Sequence, residues 1–165
     1  MADKLGQDTR TFVVFKLGDE EYGLDIGAVQ SIVRYEDPTP VPRCPEFVMG
    51  VMNLRGRVIP VLDMMARLGL GQFSPTPVSR VIVAEGEAGV LGLAVDGANE
   101  VRAIPIDTIQ ATPDAAIGPE IAEMFEGVAE RDGQLVILLD LNRAVPRSDY
   151  ERVGTDARSE GGSDV

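Results

Sequence analysis

SRVIVAEGEAGVLGLAVDGANEVRAI, residues 79–104, is the stretch that decides the architecture. It divides into three short runs rich in valine, isoleucine and leucine: Ser79–Glu85, Gly89–Val95 and Glu100–Ile104. Each has the composition of a β-strand, and Gly86-Glu87-Ala88 between the first two reads as a hairpin turn. Further strands are expected on either side. Thr11–Leu17 carries apolar groups at both odd and even positions, as a strand buried on both faces does. Gly18-Asp19-Glu20-Glu21 has turn chemistry, and Glu21–Asp25 returns as a second hairpin arm. Asn53-Leu54-Arg55-Gly56-Arg57 forms a tight turn leading into a strand at Val58–Met64, and Arg131-Asp132-Gly133 leads into another at Gln134–Leu141.

Helices are expected to be few and short. Ile26, Val29, Ile32 and Val33 recur at helical spacing, so Ile26–Val33 reads as a short amphipathic helix running into a strand. Glu46–Val51 follows Pro45 as one helical turn, and Ile121, Met124 and Phe125 suggest another. Prolines 38, 40, 42 and 45 hold their segment extended, and Gly69–Val78 is a Gly, Ser and Pro linker. Breaks near residues 40 and 75 would carry the chain between two sub-barrels. Residues 1–9 read as a flexible lead-in and 148–165 as a disordered acidic tail. No internal repeat stands out. Many short strands with few helices favour a barrel or sandwich over a parallel βαβ fold.

Composition narrows the function. Net charge is −12, which argues against nucleic acid as a partner, because phosphate binding needs clustered positive charge. No signal peptide is expected at the polar N-terminus, and no apolar run is long enough to cross a bilayer as a helix. The single cysteine, Cys44, excludes an intrachain disulfide and fits a cytoplasmic location. Histidine is absent, which removes the commonest general base, zinc ligand and phospho-acceptor of histidine kinases.

The remaining residues offer no assembled catalytic or metal set. Cys44 lies beside Arg43 but lacks a histidine base. Asp19, Glu20 and Glu21 do not follow calcium-loop spacing. Asp63, Asp96 and Asp140 sit at strand ends, where carboxylates form turns. Gly86, Gly89 and Gly92 make no phosphate-cradling motif. No catalytic residue, metal or cofactor is therefore expected. The informative positions belong to docking. Arg55, flanked by Asn53, Leu54, Gly56 and Arg57, places a planar five-donor group on a β turn in an otherwise acidic chain, where it could meet a partner's carboxylate. Leu24, Ile26, Val29 and Ile32 form an apolar stripe that either faces the core or lines a groove for a partner helix.

In their order, FVVFKLGDEEYGLDI, VQSI, CPEFVMGVMNLRGRVIPVLDM, LGLAVDGANEV and LVILLDLNRA resemble the CheW-like coupling proteins from about Thr11 to Val145. The resemblance implies an all-β fold of two packed five-stranded SH3-like β-barrel subdomains with short connecting helices, spanning residues 10–147. It implies a non-enzymatic adaptor, monomeric alone and part of receptor arrays. Such an adaptor couples the cytoplasmic tip of chemoreceptors (methyl-accepting chemotaxis proteins) to the regulatory domain of the histidine kinase CheA in chemotaxis. By the same resemblance, Arg55 in the NLRG turn, Gly50 before it, and Val29 and Ile32 in the VQSI segment belong to partner contact. Ser31 stands where the family commonly has glutamate. Two rival readings are a CheW-like scaffold of a non-flagellar pathway, serving surface motility or gene regulation, and a small β-barrel enzyme working through acids alone.

Overall fold

The computed structural model describes residues 8–113 and 118–146. The expected tail at 148–165 lies outside them, as do residues 1–7. Ten strands follow in chain order: β1 (Thr9–Leu17), β2 (Glu20–Asp25), β3 (Val29–Arg34), β4 (Val48–Leu54), β5 (Arg57–Asp63), β6 (Arg80–Gly86), β7 (Gly89–Val95), β8 (Gly97–Pro105), β9 (Phe125–Arg131) and β10 (Gln134–Leu139). Three four-residue helical turns accompany them: α1 (Met64–Arg67), α2 (Pro119–Ala122) and α3 (Leu141–Ala144).

The strands form two five-stranded sheets, in the orders β8-β1-β2-β10-β9 and β3-β6-β7-β5-β4. The first lobe thus takes the first two and the last three strands, and the second takes the five between them. This is the expected pair of SH3-like barrels, but the crossings fall elsewhere than expected. The chain leaves the first lobe through a three-residue 3-10 turn, Ile26–Ala28, where the Asp25 carboxylate accepts from the Gly27 amide at 2.8 Å. It returns at Asp96, whose carboxylate accepts from the Gly18 amide at 2.6 Å. The Pro-rich segment and the Gly69–Val78 linker both stay within the second lobe. Their composition marks loops, but strand pairing decides which sheets the loops connect.

Three local expectations also change. The helix over Ile26–Val33 is only the 3-10 turn followed by β3. The turn at Glu46–Val51 gives way to β4, and Phe125 opens β9 rather than closing a helix. In each case β-branched or aromatic residues fit both periods over a short window, and the partner strand settles the matter.

The two lobes share one pairing plan. An edge strand lies antiparallel to the first arm of a hairpin. The second arm of that hairpin runs parallel to the second arm of another hairpin, and the other hairpin's first arm forms the far edge. A sequence repeat becomes visible on this frame. GVMNLRGRVIPVLDM (50–64) and GVAERDGQLVILLDL (127–141) superpose at a constant offset without a gap. Val51 bridges to Thr39 and Val128 bridges to Gln110. Asp63 and Asp140 each cap the helical turn that follows, accepting from Ala66 and from Asn142 and Arg143 respectively.

Side-chain alternation along the central strands builds three interiors. On β1, Phe12 points into the first barrel, while Val13, Phe15 and Leu17 face the joint between lobes. On β6, Val81 and Val83 fill the second barrel, and Ile82 and Ala84 face the joint. On β7, Leu91, Leu93 and Val95 complete the joint, all at 0% exposure. The double-sided burial expected for β1 thus comes from one face serving its own barrel and the other serving the neighbour. Two polar ties add to the joint. Arg67 Nε donates to the Ala144 carbonyl at 2.5 Å, and the Glu87 amide donates to Asn142 Oδ1 at 2.8 Å.

Arg10 closes the first lobe. Its guanidinium reaches Asp25 at 2.7 Å and Glu126 at 2.8 Å, and lies over the Phe12 ring. Partial burial pushes the Asp25 carboxyl up, but the Arg10 hydrogen bond and the Gly27 amide outweigh it and hold the group below its ordinary value. A depressed carboxyl contributes stability in full above the unfolded value and loses it as pH falls through the folded one. Asp25→Asn should therefore lower the thermal midpoint at neutral pH, and by progressively less at an acidic pH below the ordinary carboxylate range. A gap of equal size at both pH values, measured by circular dichroism melts, would contradict this.

Candidate docking site

The β4–β5 hairpin joins Leu54 to its partner Arg57 through two residues, Arg55 and Gly56. Their φ angles are 54° and 82°, so both occupy the left-handed region of a type I′ turn, whose twist matches that of the flanking strands. This turn prefers asparagine or aspartate at its first central position. Here it holds an arginine, at a cost of about 1 kcal/mol in backbone conformation. The equivalent turn of the first lobe, Asp132-Gly133, has φ angles of 53° and 81° and carries the favoured aspartate.

Asn53, Arg55, Gly56 and Arg57 are all exposed, and Val58 beside them is 64% exposed. Asn53 Oδ1 accepts from the Gly56 amide across the turn at 2.9 Å. Leu54 is half-buried against Ile59, Val83 and Val90. Gly50 is buried and serves the backbone instead of a surface. Thr39 and Val51 exchange two backbone hydrogen bonds of 2.9 Å directly over it, and a Cβ on Gly50 would lie 2.1 Å from the Thr39 carbonyl oxygen. Gly127 has the same close approach to Gln110 in the first lobe.

Val29, Ser31 and Ile32 lie on β3, the edge opposite β4 in the same sheet. The helical stripe dissolves there, because β3 alternates. Val29, Ser31 and Val33 are half-buried, whereas Gln30, Ile32 and Arg34 are exposed. Val29 packs on the joint between lobes, and Ile32, 39% exposed, faces solvent. A bulge lies between Val29 and Ser31, and Gln30 donates to Glu85 at 2.8 Å. Val33 from β3 and Met52 and Leu54 from β4 pack on the same three buried residues, so side chains close the barrel between these edges. Just past β3, the Tyr35 ring packs at a tilt of 53° against Phe73, with centroids 4.8 Å apart; burial and the Asp37 carboxylate push its hydroxyl up to about 12.

All eight residues singled out in the sequence therefore belong to the second lobe. Asn53, Arg55, Gly56 and Ile32 are exposed, whereas Gly50, Leu54, Val29 and Ser31 are wholly or partly enclosed. Sequence reasoning placed Val58 and Leu135 in strands but did not single out their exposure, nor the correspondence between the two hairpins that carry them. The ungapped repeat was the signal that could have found that correspondence.

The Cys44 thiol lies 3.0 Å from the Val41 carbonyl, which it faces as a donor. Among the described residues no group of three or more histidine, cysteine, aspartate or glutamate side chains could hold a metal ion. A cleft of about 510 Å³ beside α1 and α3 is lined by Arg67, Glu120, Glu123, Met124, Arg143 and Pro146, a mixed-charge set. No helix among the described residues is long and apolar enough to cross a membrane.

Known proteins similar to this chain come from one family. The CheW-like domain profile matches residues 11–148. A chemotaxis protein CheW of Rhizobium meliloti is 35% identical, over 91% of this chain and 96% of its own length. A probable chemotaxis protein CheW of Rhizobium etli is 32% identical, over 89% and 94%. A crystal structure described as the scaffolding protein TtCheW from Thermoanaerobacter tengcongensis superposes with a TM-score of 0.74 at 36% identity, over 81% of this chain and 86% of that one.

The close approach at Gly50 carries its own expectation. Gly50→Ala forces the Thr39 bridge apart and should cost roughly 2–4 kcal/mol in chemical denaturation. Gly18→Ala, at φ +63° with nothing within 4 Å of the added methyl, should cost only about 1–2 kcal/mol. Equal losses would contradict the packing role of Gly50.

Proposed function

The chain belongs to the CheW-like domain family, and from that premise we propose that it is a scaffold without enzymatic activity that couples chemoreceptors to a CheA-type histidine kinase in chemotaxis signal transduction. It works in the cytoplasm, as a monomer that joins receptor arrays. One partner is the kinase's regulatory domain, and the other is the cytoplasmic tip of the receptors. The architecture suits such work, since two lobes locked through one apolar joint hold surfaces at a fixed separation.

The observation that carries this reading is Arg55. An arginine occupies a left-handed turn position that local chemistry would give to asparagine or aspartate. It stands exposed at a hairpin tip, without an ion pair to any described residue, in a chain of net charge −12. A conformational cost without an internal partner is explained by an external one. A guanidinium so placed offers two parallel donors to a carboxylate on the kinase. Asn53, Leu54 and Gly56 shape the turn that presents it, and Gly50 anchors the strand behind it. Ile32, with Val29 and Ser31 behind it, extends the contact along β3, and Ser31 in place of the family's usual glutamate tunes which kinase or receptor is served.

Arg55→Glu tests the reading. The substitution should change folding stability by no more than roughly 0.5 kcal/mol, yet abolish receptor-dependent kinase activation in a reconstituted receptor, kinase and scaffold assay. Activation that persists at the parent level would remove Arg55 from the site. Failure of the parent protein to co-purify with either receptor or kinase would remove the scaffold function itself.

A further inference from the structure

We propose that Asn53 is a positioning residue: it makes no contact with the partner but fixes the left-handed turn that presents Arg55. Its Oδ1 accepts from the Gly56 amide at 2.9 Å, spanning Arg55. The first lobe supplies a built-in control. At Asp132-Gly133 the same hairpin turn forms with φ angles within a degree of those at Arg55-Gly56. There the residue equivalent to Asn53 is Glu130, and among the described residues its side chain makes no hydrogen bond to the Gly133 amide. The turn therefore closes without such a bond, so hairpin formation does not require Asn53. What the bond adds is stiffness at the one turn whose first central residue is disfavoured there. Aspartate tolerates the left-handed region, whereas arginine does not, and Arg55 would otherwise leave it readily. Holding the backbone in place before the partner arrives removes part of the ordering cost of binding.

This inference rests on the role given to Arg55 above, and a double-mutant cycle separates the two. Affinity for the full-length CheA-type kinase is measured by calorimetry for the parent chain, Asn53→Ala, Arg55→Ala and the double variant. Asn53→Ala should weaken binding about three- to tenfold, the worth of one lost hydrogen bond, and should add nothing once Arg55 is alanine. A general disturbance of the lobe, or a direct contact from Asn53, would instead weaken binding by the same factor in both backgrounds and overturn the proposal. So would an Asn53→Ala variant that binds as the parent does. If Arg55→Ala itself binds normally, the role of Arg55 falls and the positioning role falls with it.

Discussion

The structure depends on strands that bury both faces. Because side chains alternate across a strand, β1, β6 and β7 each send one set of residues into their own barrel and the other into the joint. Leu91, Leu93 and Val95 on one side of the joint meet Val13, Phe15 and Leu17 on the other in a single apolar cluster. Removing that cluster from water gains on the order of 25 cal/mol for each Å² buried. Neither lobe could expose this face alone without presenting a large apolar patch to solvent. The lobes therefore behave as one body, and the Arg67 and Asn142 ties set its register more than its strength.

Once the joint is fixed, the rest of each lobe follows a common plan. The second hairpin of each runs from a glycine lying under a bridging strand, through a type I′ turn, to an aspartate-capped helical turn. The two copies keep what the backbone demands: Gly50 and Gly127 for close approach, Gly56 and Gly133 for positive φ, and Asp63 and Asp140 for the caps. They diverge at the exposed tip, where one carries Arg55 and the other Asp132. The conserved plan shows which positions serve folding, so the divergent ones are free to serve recognition.

Charge sharpens that division. The acidic turn Asp19-Glu20-Glu21, with Glu100, Glu126, Glu130 and Asp132, belongs to the first lobe. Arg55 and Arg57 stand together on the second. Under the proposed function, such a basic tip would contribute selectivity and approach rate more than raw affinity. Side chains packed beneath it, Met52, Leu54 and Ile59, give it a rigid base.

Much of this was legible in the residues themselves. Turn chemistry located the turns at Gly18, Arg55, Gly86 and Asp132, because tight reversal favours particular residues wherever it occurs, but the strands β4 and β9 that make hairpins of the second and fourth were not foreseen. Double-sided apolar runs announced buried strands, and the motif order around EEYGLDI and NLRGRVIPVLDM indicated the fold and Arg55. Short segments were another matter. Ile26–Val33 and Glu46–Val51 fit helical spacing as well as strand spacing, and only pairing with β6 and β5 made them strands. Which loops cross between lobes, and that Val29 and Ile32 face opposite ways, were equally hidden, since a strand's faces are defined by neighbours remote in sequence. Local conformational preference is written into each residue, whereas the assignment of faces and crossings exists only once distant strands have met.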